Sequence, residues 1–220
     1  SKLPPYNGVI EFKITKTSFL ILNILNDDSS AVKYFWRGSH DLKSLDLWYE
    51  ISREEGVYVD VGAHTGDYIN LFLKLNKNAK IQAFEPLKES YNKLLDQFKD
   101  NKNINCHNIA IGEKKEMLEI NIMQHLESST LSKINYQSKY IIKKSIVFGL
   151  PINKLFLKKE KIQVQSIDNI FRSEHLNKID LLKIDTEGFV YEVLKGCKQS
   201  IKNIKLILVE LHHSDLYEDH

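Results

Sequence analysis

The stretch Val57-Tyr58-Val59-Asp60-Val61-Gly62-Ala63-His64-Thr65-Gly66 decides the fold of this 220-residue chain. The apolar run at its start predicts a buried strand, which leads directly into a turn with two glycines. A helix is expected to begin near Asp67. A strand, a glycine-bearing turn and a helix in this order form the first unit of a nucleotide-binding α/β fold, in which a ligand lies across the carboxyl end of the strand.

The spacing of the two glycines indicates which ligand suits the turn. Dinucleotide-binding turns follow the pattern G-x-G-x-x-G, because the backbone must approach a pyrophosphate closely. Here only Gly62 and Gly66 are present, with three residues between them. This favours an adenosine-type ligand without a pyrophosphate, such as S-adenosylmethionine (SAM), and it argues against an NAD-dependent oxidoreductase.

A second apolar run, over residues 80–86, predicts a neighbouring strand that ends on Glu85. A carboxylate at that place can accept hydrogen bonds from both hydroxyls of a ribose, and Pro86 with Leu87 would form an apolar wall against the purine. The alternative is that Glu85 only provides a negative charge at the start of a helix over 87–99. The glycine turn upstream favours ribose binding.

Three further apolar runs predict strands over 104–110, 179–185 and 204–213. The fourth strand delivers Asp185 and Glu187 to its carboxyl end, with a helix beginning around Glu187, and the fifth leads to Glu210 and His212. Five apolar strands with helices between most of them predict a mostly parallel, doubly wound sheet that is covered on both faces.

The order and spacing of five blocks resemble the FkbM-type SAM-dependent methyltransferases. These blocks are Asp60–Tyr68, Ala83–Pro86, Asn108–Gly112, Leu182–Gly188 with Val193–Gly196, and Val209–His212. Arg37–Asp41 is similar to an Arg-Gly-Thr-Ser-Asp element that precedes the catalytic domain in that family, whereas His64-Thr65 replaces the usual Asn-Ile. The resemblance covers about residues 34–213 and implies a Rossmann-like class I methyltransferase fold with SAM as cofactor.

We assign the site to the carboxyl edge of the predicted sheet. The predicted cofactor-binding residues are Asp60, Gly62, Ala63, His64, Thr65, Gly66, Glu85, Pro86, Leu87, Asn108, Ala110, Asp185 and Glu187. The catalytic candidates are Asp185, Glu210 and His212. His212 would be the base if Asp185 fixes its tautomer, because a hydroxyl acceptor benefits from proton removal; alternatively, Glu210 and His212 only close strand five. The same three side chains are a conceivable divalent-metal site, but we assign no metal.

The segment between the third and fourth strands is long and basic. Residues 131–161 contain eight lysines and one acid, Glu160, which gives this stretch a net charge of +7. The charge favours an anionic partner such as nucleic acid, a phosphorylated sugar or an acidic membrane. The alternative is a solvated lid, because the stretch lacks the arginines that phosphate recognition prefers.

We interpret residues 124–160 as a mobile lid that recognises the acceptor, with the hydroxyls of 128–130 facing the cleft. Alternating runs at 117–123 and 162–166 predict two paired extra strands, and Asp168 is expected to cap a short helix.

The N-terminal segment, the cysteines and the lengths of the apolar runs indicate how the chain is organised. Residues 1–40 are expected to form a β segment that packs on a methyltransferase domain over 41–220, with strands at 9–15, 18–25 and 31–36 and a helix at 42–53. The two cysteines, Cys106 and Cys197, fit neither a disulfide framework nor a metal site, which predicts a cytoplasmic protein. No run of the sequence is long enough to span a bilayer.

Three functions remain open from the sequence. The first is O-methylation of a glycan or small-molecule hydroxyl, as the family resemblance implies. The second is RNA methylation, which the lysine-rich segment supports. The third is a SAM- or nucleotide-binding scaffold without methyl transfer, which the presence of Asp60, Glu85 and Asp185 disfavours. The oligomeric state is not indicated.

Overall fold

A computed structural model describes residues 9–13, 19–23, 56–124, 126–210 and 215–218. The described residues divide into two compact units. One contains those up to Gly56 together with Asp67–Ala79, and the other contains Val57–Gly66 and the residues from Lys80 onward. The predicted strand at 31–36 and helix at 42–53 lie outside the described residues, and the domain boundary at residue 40 stays a prediction.

The first unit contains two short strands and a helix. Strands β1 (Val9–Lys13) and β2 (Phe19–Asn23) pair antiparallel, with Val9 opposite Asn23. Both predicted strands are therefore confirmed within the described residues. Helix α1 (Asp67–Leu75) begins at the predicted residue, and the carboxylate of Asp67 in its first turn suits the positive end of the helix dipole.

The second unit alternates strands and helices. In chain order it contains β3 (Val57–Val61), β4 (Lys80–Phe84), α2 (Lys88–Phe98), β5 (Ile104–His107), β6 (Ala110–Ile111), β7 (Glu116–Met123), α3 (Lys139–Phe148), β8 (Phe156–Gln165), α4 (Ile167–Ser173), β9 (Leu181–Ile184), α5 (Val190–Lys195) and β10 (Ile207–Val209). Short 3₁₀ turns lie at Leu126–Ser128, Ile152–Lys154 and Ile201–Asn203.

A parallel sheet forms the centre of this unit. Among the described residues it has five strands in the order β10-β9-β3-β4-β5, and every neighbouring pair runs parallel. Strands β3, β4 and β9 are almost entirely buried, which explains why they read as continuous apolar runs in the sequence. The predicted mostly parallel, Rossmann-like α/β fold is confirmed.

One apolar cluster lies between this sheet and two helices. Val59, Val61 and Leu182 of the sheet pack with Ile167 of α4 and Val193 of α5, and all five side chains are buried. Burial of such side chains contributes roughly 1.5–3 kcal/mol each. This cluster holds the carboxyl ends of β3 and β9 side by side.

The expected third strand is only partly right, because its last residue belongs to a second, three-stranded sheet. The predicted run 104–110 breaks after His107, and Ala110–Ile111 joins a separate sheet of order β6-β8-β7. Strands β7 and β8 pair antiparallel, which confirms the predicted extra pair, although β8 begins earlier than expected, at Phe156.

The expected cap of α4 was also wrong. The Ser166 hydroxyl accepts the backbone N–H of Asn169, at the N-cap position. Asp168 lies in the first turn instead, and its carboxylate accepts the backbone N–H groups of Gln199 and Ser200.

No helix of the described residues is both long enough and apolar enough to cross a membrane.

Candidate active site

The polar residues predicted for the site converge at one edge of the parallel sheet. The first residues beyond the strands continue the ladder: Asp185 N–H donates to the Val61 carbonyl, and Glu210 N–H donates to the Ile184 carbonyl, each at 3.0 Å. On the other side of β3, Glu85 N–H donates to the His107 carbonyl at 3.1 Å. Because the strands are parallel, all these groups lie at their carboxyl ends.

The turn after β3 is tight, and its two glycines are required by packing. Gly62 has φ +80°, and a Cβ placed on it would lie 1.8 Å from the carbonyl oxygen of Asp185. Gly66 has φ +94°, and a Cβ there would lie 2.4 Å from the ring of Phe98. The spacing of these glycines therefore has a structural cause within the chain: one lets β3 approach the end of β9, and the other lets the turn approach α2.

Glu85 connects this turn to the start of α2. Its side chain is 5% exposed, and its two carboxylate oxygens accept the backbone N–H groups of His64 at 2.9 Å and Leu87 at 2.8 Å. Burial raises the pKa of Glu85 to about 7. A carboxylate has about four acceptor positions, so these two bonds leave capacity for further donors. Glu85 thus binds the backbone of Leu87, the residue before α2, while the ribose contact stays a prediction.

Asn108 and Ala110 support the same corner from β5 and β6. The amide nitrogen of Asn108 donates to the carbonyl oxygens of Glu85 at 3.0 Å and Pro86 at 2.9 Å. Ala110 and Leu87 are buried in the apolar cluster beside β7 and β8, whereas Pro86 is partly exposed. Asn108 therefore shapes the 85–86 turn, and the predicted purine wall retains Pro86 as its more accessible member.

A buried ion-pair cluster lies at the centre of the edge. Lys183 Nζ is 3.0 Å from Asp60 Oδ1 and 3.5 Å from Asp185 Oδ2. The Lys183 side chain is 4% exposed and that of Asp185 is 25% exposed. Burial acts against the ammonium charge, but the two carboxylates raise the pKa of Lys183. Lys183 therefore stays charged and fixes the orientation of Asp185, which is the more accessible carboxylate.

Sequence reasoning missed Lys183, although a signal was present. A lysine stands inside the apolar run Leu181–Ile184, where a solvated residue is not expected. The register of β3 and β9 places Lys183 opposite Asp60. That pairing joins residues that are 123 positions apart in the chain.

Glu187 lies in a turn rather than at the start of a helix, which corrects the sequence prediction. Glu187 has φ +47°, Gly188 has φ +91°, and α5 begins only at Val190. The carboxylate of Glu187 accepts the hydroxyl of Tyr217 at 2.9 Å, and its carbonyl accepts the hydroxyl of Thr130 at 2.5 Å. Burial, reinforced by the negative charge of Glu187, raises the pKa of Tyr217.

The segment predicted as a lid is anchored by the C-terminal residues of the described chain. Ile141 of α3 and Tyr217 belong to one buried apolar cluster, and the Asp215 carboxylate accepts the backbone N–H of Lys139 at 2.8 Å. The hydroxyls expected to face the cleft have protein partners: Ser128 binds Lys144, Ser129 accepts from Met123, and Thr130 binds Glu187. The mobility of the segment stays a prediction.

Glu210 and His212 are the remaining catalytic candidates. Glu210 is exposed at the end of β10, and its negative charge adds to the field that raises the pKa of Lys183. His212 lies outside the described residues. Within the described part of the chain, no group of three or more His, Cys, Asp or Glu side chains is arranged to hold a metal ion.

Comparisons with known proteins place this site in a family. Residues 60–220 match the model of the methyltransferase FkbM domain. The chain is similar to the 2-O-methyltransferase NoeI of Sinorhizobium fredii (strain NBRC 101917 / NGR234), with 20% identity over 176 residues, which covers 76% of this chain and 68% of NoeI. No solved structure matches the chain significantly. The matched region includes the glycine turn, Glu85 and the Lys183 cluster, so the resemblance is confirmed: the chain belongs to the FkbM methyltransferase family.

Proposed function

We propose that this protein is a SAM-dependent methyltransferase that transfers the methyl group to a hydroxyl of a glycan or small molecule. One observation carries the proposal: Glu85 and the Lys183–Asp185 pair lie at the same edge of the sheet, on either side of the glycine turn. The first supplies an acceptor for ribose hydroxyls. The second supplies an oriented and partly exposed carboxylate for the methyl acceptor.

The hydrogen-bond acceptors and the apolar surface at this edge fit SAM. Glu85 retains acceptor positions for the ribose, Asn108 keeps its carbonyl oxygen after donating both amide hydrogens to the backbone, and Pro86 offers a partly exposed apolar surface. SAM supplies a methyl group that the adjacent sulfonium already activates. The task left to the protein is to hold the acceptor oxygen in line with that methyl group, and positioning of this kind accounts for much of the rate.

Asp185 is our candidate for orienting the acceptor hydroxyl. The ion pair with Lys183 limits its rotation, and its accessible fraction allows it to accept a hydrogen bond from the substrate. His212 is our candidate base, since it follows β10, the strand beside β9. If His212 removes the proton, turnover falls as the pH drops through about 6.5, and His212→Gln removes that dependence.

Oxygen as the acceptor atom is supported by the relative whose name specifies 2-O-methylation. Residues 124–160 are our candidate for acceptor recognition, because they contact the Glu187 turn through Thr130. The lysines at 131–161 also favour RNA as an alternative acceptor. A cytoplasmic location remains our expectation for the protein.

Two measurements test the proposal. Calorimetry is expected to detect binding of SAM but not of NAD, and Glu85→Ala is expected to weaken SAM binding by roughly 1–3 kcal/mol. Glu89→Ala is the matched control, because that carboxylate is exposed and pairs with the exposed Lys93. Tight binding of NAD without SAM would overturn the proposal.

The second measurement identifies the acceptor. Labelled SAM is incubated with separate pools of RNA, glycans and small metabolites, and the labelled product is characterised. We expect label on a hydroxyl of a glycan or small molecule. Label only in the RNA pool would replace our leading acceptor with the alternative, and SAM binding without transfer to any pool would favour a scaffold.

A further inference from the structure

Helix α3 exposes most of its apolar side chains. The exposed fractions are 75% for Ile146, 70% for Val147, 45% for Tyr140, 43% for Ile142 and 42% for Phe148. A surface helix of a globular protein normally turns such residues toward the core. Within α3, only Ile141 is buried. We call four of these exposed side chains, those of Tyr140, Ile142, Ile146 and Val147, the α3 face.

The helix is held firmly in this orientation. Ser138 caps its N-terminus by accepting the Ile141 N–H, and Asp215 accepts the Lys139 N–H. Gly149, at φ +62°, closes the C-terminus. Ile141 packs among Met123, Ile134 and Leu155 in a buried cluster. The exposure of the α3 face therefore follows from how the helix is anchored.

Lysines lie among the apolar residues of this face. On the helix surface, Ile142 and Ile146 are one turn apart, as are Lys139 and Lys143, so that the two rows run side by side. Lys139 and Lys143 are exposed, and α3 contains no acidic residue. The surrounding stretch, 131–161, carries a net charge of +7. The surface is thus apolar and carries two exposed ammonium groups, those of Lys139 and Lys143.

This combination matches the interface of an anionic bilayer. Aliphatic and aromatic side chains enter the boundary of the acyl chains, while lysines extend along the apolar surface and bring their ammonium groups to the anionic headgroups. We propose that the α3 face is a peripheral docking surface for a membrane that contains anionic lipids.

Other occupants fit less well. A nucleic acid offers phosphates to the lysines, but it gives no apolar environment to Ile146 and Val147. A second copy of this chain, related by a two-fold axis, would bring two positively charged surfaces together. An anionic bilayer satisfies both the charge and the apolar side chains. The proposal is independent of methyl transfer.

Vesicle sedimentation tests it. The protein is mixed with vesicles of phosphatidylcholine alone or with added phosphatidylserine, and the bound fraction is measured at low and physiological ionic strength. We expect binding only to the vesicles with phosphatidylserine. Ile146→Ser with Val147→Ser is expected to lower the partition coefficient about tenfold or more, and Lys139→Gln with Lys143→Gln about fivefold for each charge.

Matched controls use exposed residues elsewhere. Met117 on β7 is 60% exposed, and Lys114 and Lys115 are exposed outside the 131–161 stretch. Met117→Ser, and Lys114→Gln with Lys115→Gln, are expected to leave vesicle binding unchanged. Because all the substitutions are on the surface, every variant is expected to fold. Circular dichroism and thermal unfolding check this.

Several results would overturn the proposal. One is the absence of binding to phosphatidylserine vesicles at low ionic strength. Another is binding that the lysine substitutions remove while the Ile146 and Val147 substitutions leave it intact, because the apolar residues would then play no part. Retention of RNA instead of vesicles would assign the lysines to nucleic acid. A dimer in sedimentation equilibrium that Ile146→Ser with Val147→Ser dissociates would assign the face to a second copy.

Discussion

The buried carboxylate of Glu85 makes stability depend on pH in a specific window. An unperturbed glutamate has a pKa of 4.5, whereas the pKa of Glu85 is raised to about 7 in the folded protein, because burial disfavours the charged form. The folded state therefore binds the proton more tightly than the unfolded state. The stabilisation is fully present below about pH 4.5 and is lost as the pH rises through about 7.

The size of the effect follows from the two pKa values. Their difference, at about 1.4 kcal/mol per unit, corresponds to about 3 kcal/mol of unfolding free energy. Because Glu85 is only 5% exposed, solvent screening reduces this value little. The assay is urea unfolding of the wild type and of Glu85→Gln across this pH range, with Glu89→Gln as the exposed control.

We expect the wild type to lose about 3 kcal/mol relative to Glu85→Gln between about pH 4.5 and about pH 8. The Gln side chain replaces one acceptor by a donor, so the variant has a constant offset as well. The pH-dependent part of the difference is therefore the quantity to compare. Parallel pH curves for the wild type and Glu85→Gln would refute the reasoning, as would an equal slope difference in Glu89→Gln.

Three more outcomes follow from the site. Lys183→Met leaves two carboxylates without their buried cation, and we expect it to lower the free energy of unfolding in urea by about 3–5 kcal/mol at neutral pH. The Lys178 side chain is 60% exposed, so the control Lys178→Met should lower it by less than about 1 kcal/mol. Asp185→Asn should reduce turnover by about 100-fold or more, with less than about a threefold change in the SAM dissociation constant; full turnover would remove Asp185 from the chemistry. Gly188→Ala should destabilise by about 1–3 kcal/mol in thermal unfolding, because its Cβ would lie 2.5 Å from an aromatic ring, whereas Gly149→Ala meets no atom within 4 Å and is the control with a similar backbone.

The pH dependence of SAM binding should oppose that of stability, if Glu85 accepts the ribose hydroxyls as proposed. Only the ionised carboxylate is a full acceptor, so SAM should bind about tenfold more weakly at about pH 6 than at about pH 8. Glu85→Gln should lose this dependence in calorimetry.

The positions of the main strands could be inferred from the sequence because the signals involved are local. Strands β3, β4 and β9 are buried on both faces, so each appears as a continuous apolar run. The start of α1 at Asp67 follows from backbone preferences that neighbouring residues set. For the same reason, the paired strands β7 and β8 were visible as alternating runs.

Local signals failed where contacts between distant residues decide the outcome. The run 104–110 reads as one strand, but Ala110–Ile111 leaves the parallel sheet to pair with β8. Aspartate is a residue type that often caps helices, yet the carboxylate of Asp168 binds the backbone N–H of Ser200 instead. Glu187 was expected to begin a helix, but it lies in a turn, and its carboxylate accepts the hydroxyl of Tyr217.

The sequence by itself determined the fold class, the family and the sheet edge at which the predicted site residues converge, since these depend on apolar periodicity, glycine positions and the motif blocks. Only the tertiary structure decided the electrostatics of that edge. The pairing of β3 with β9 places Lys183 against Asp60 across 123 residues of chain, and burial raises the pKa of Glu85 to about 7. Both effects depend on the distance between charges and on their removal from water, and neither quantity exists until the strands are packed.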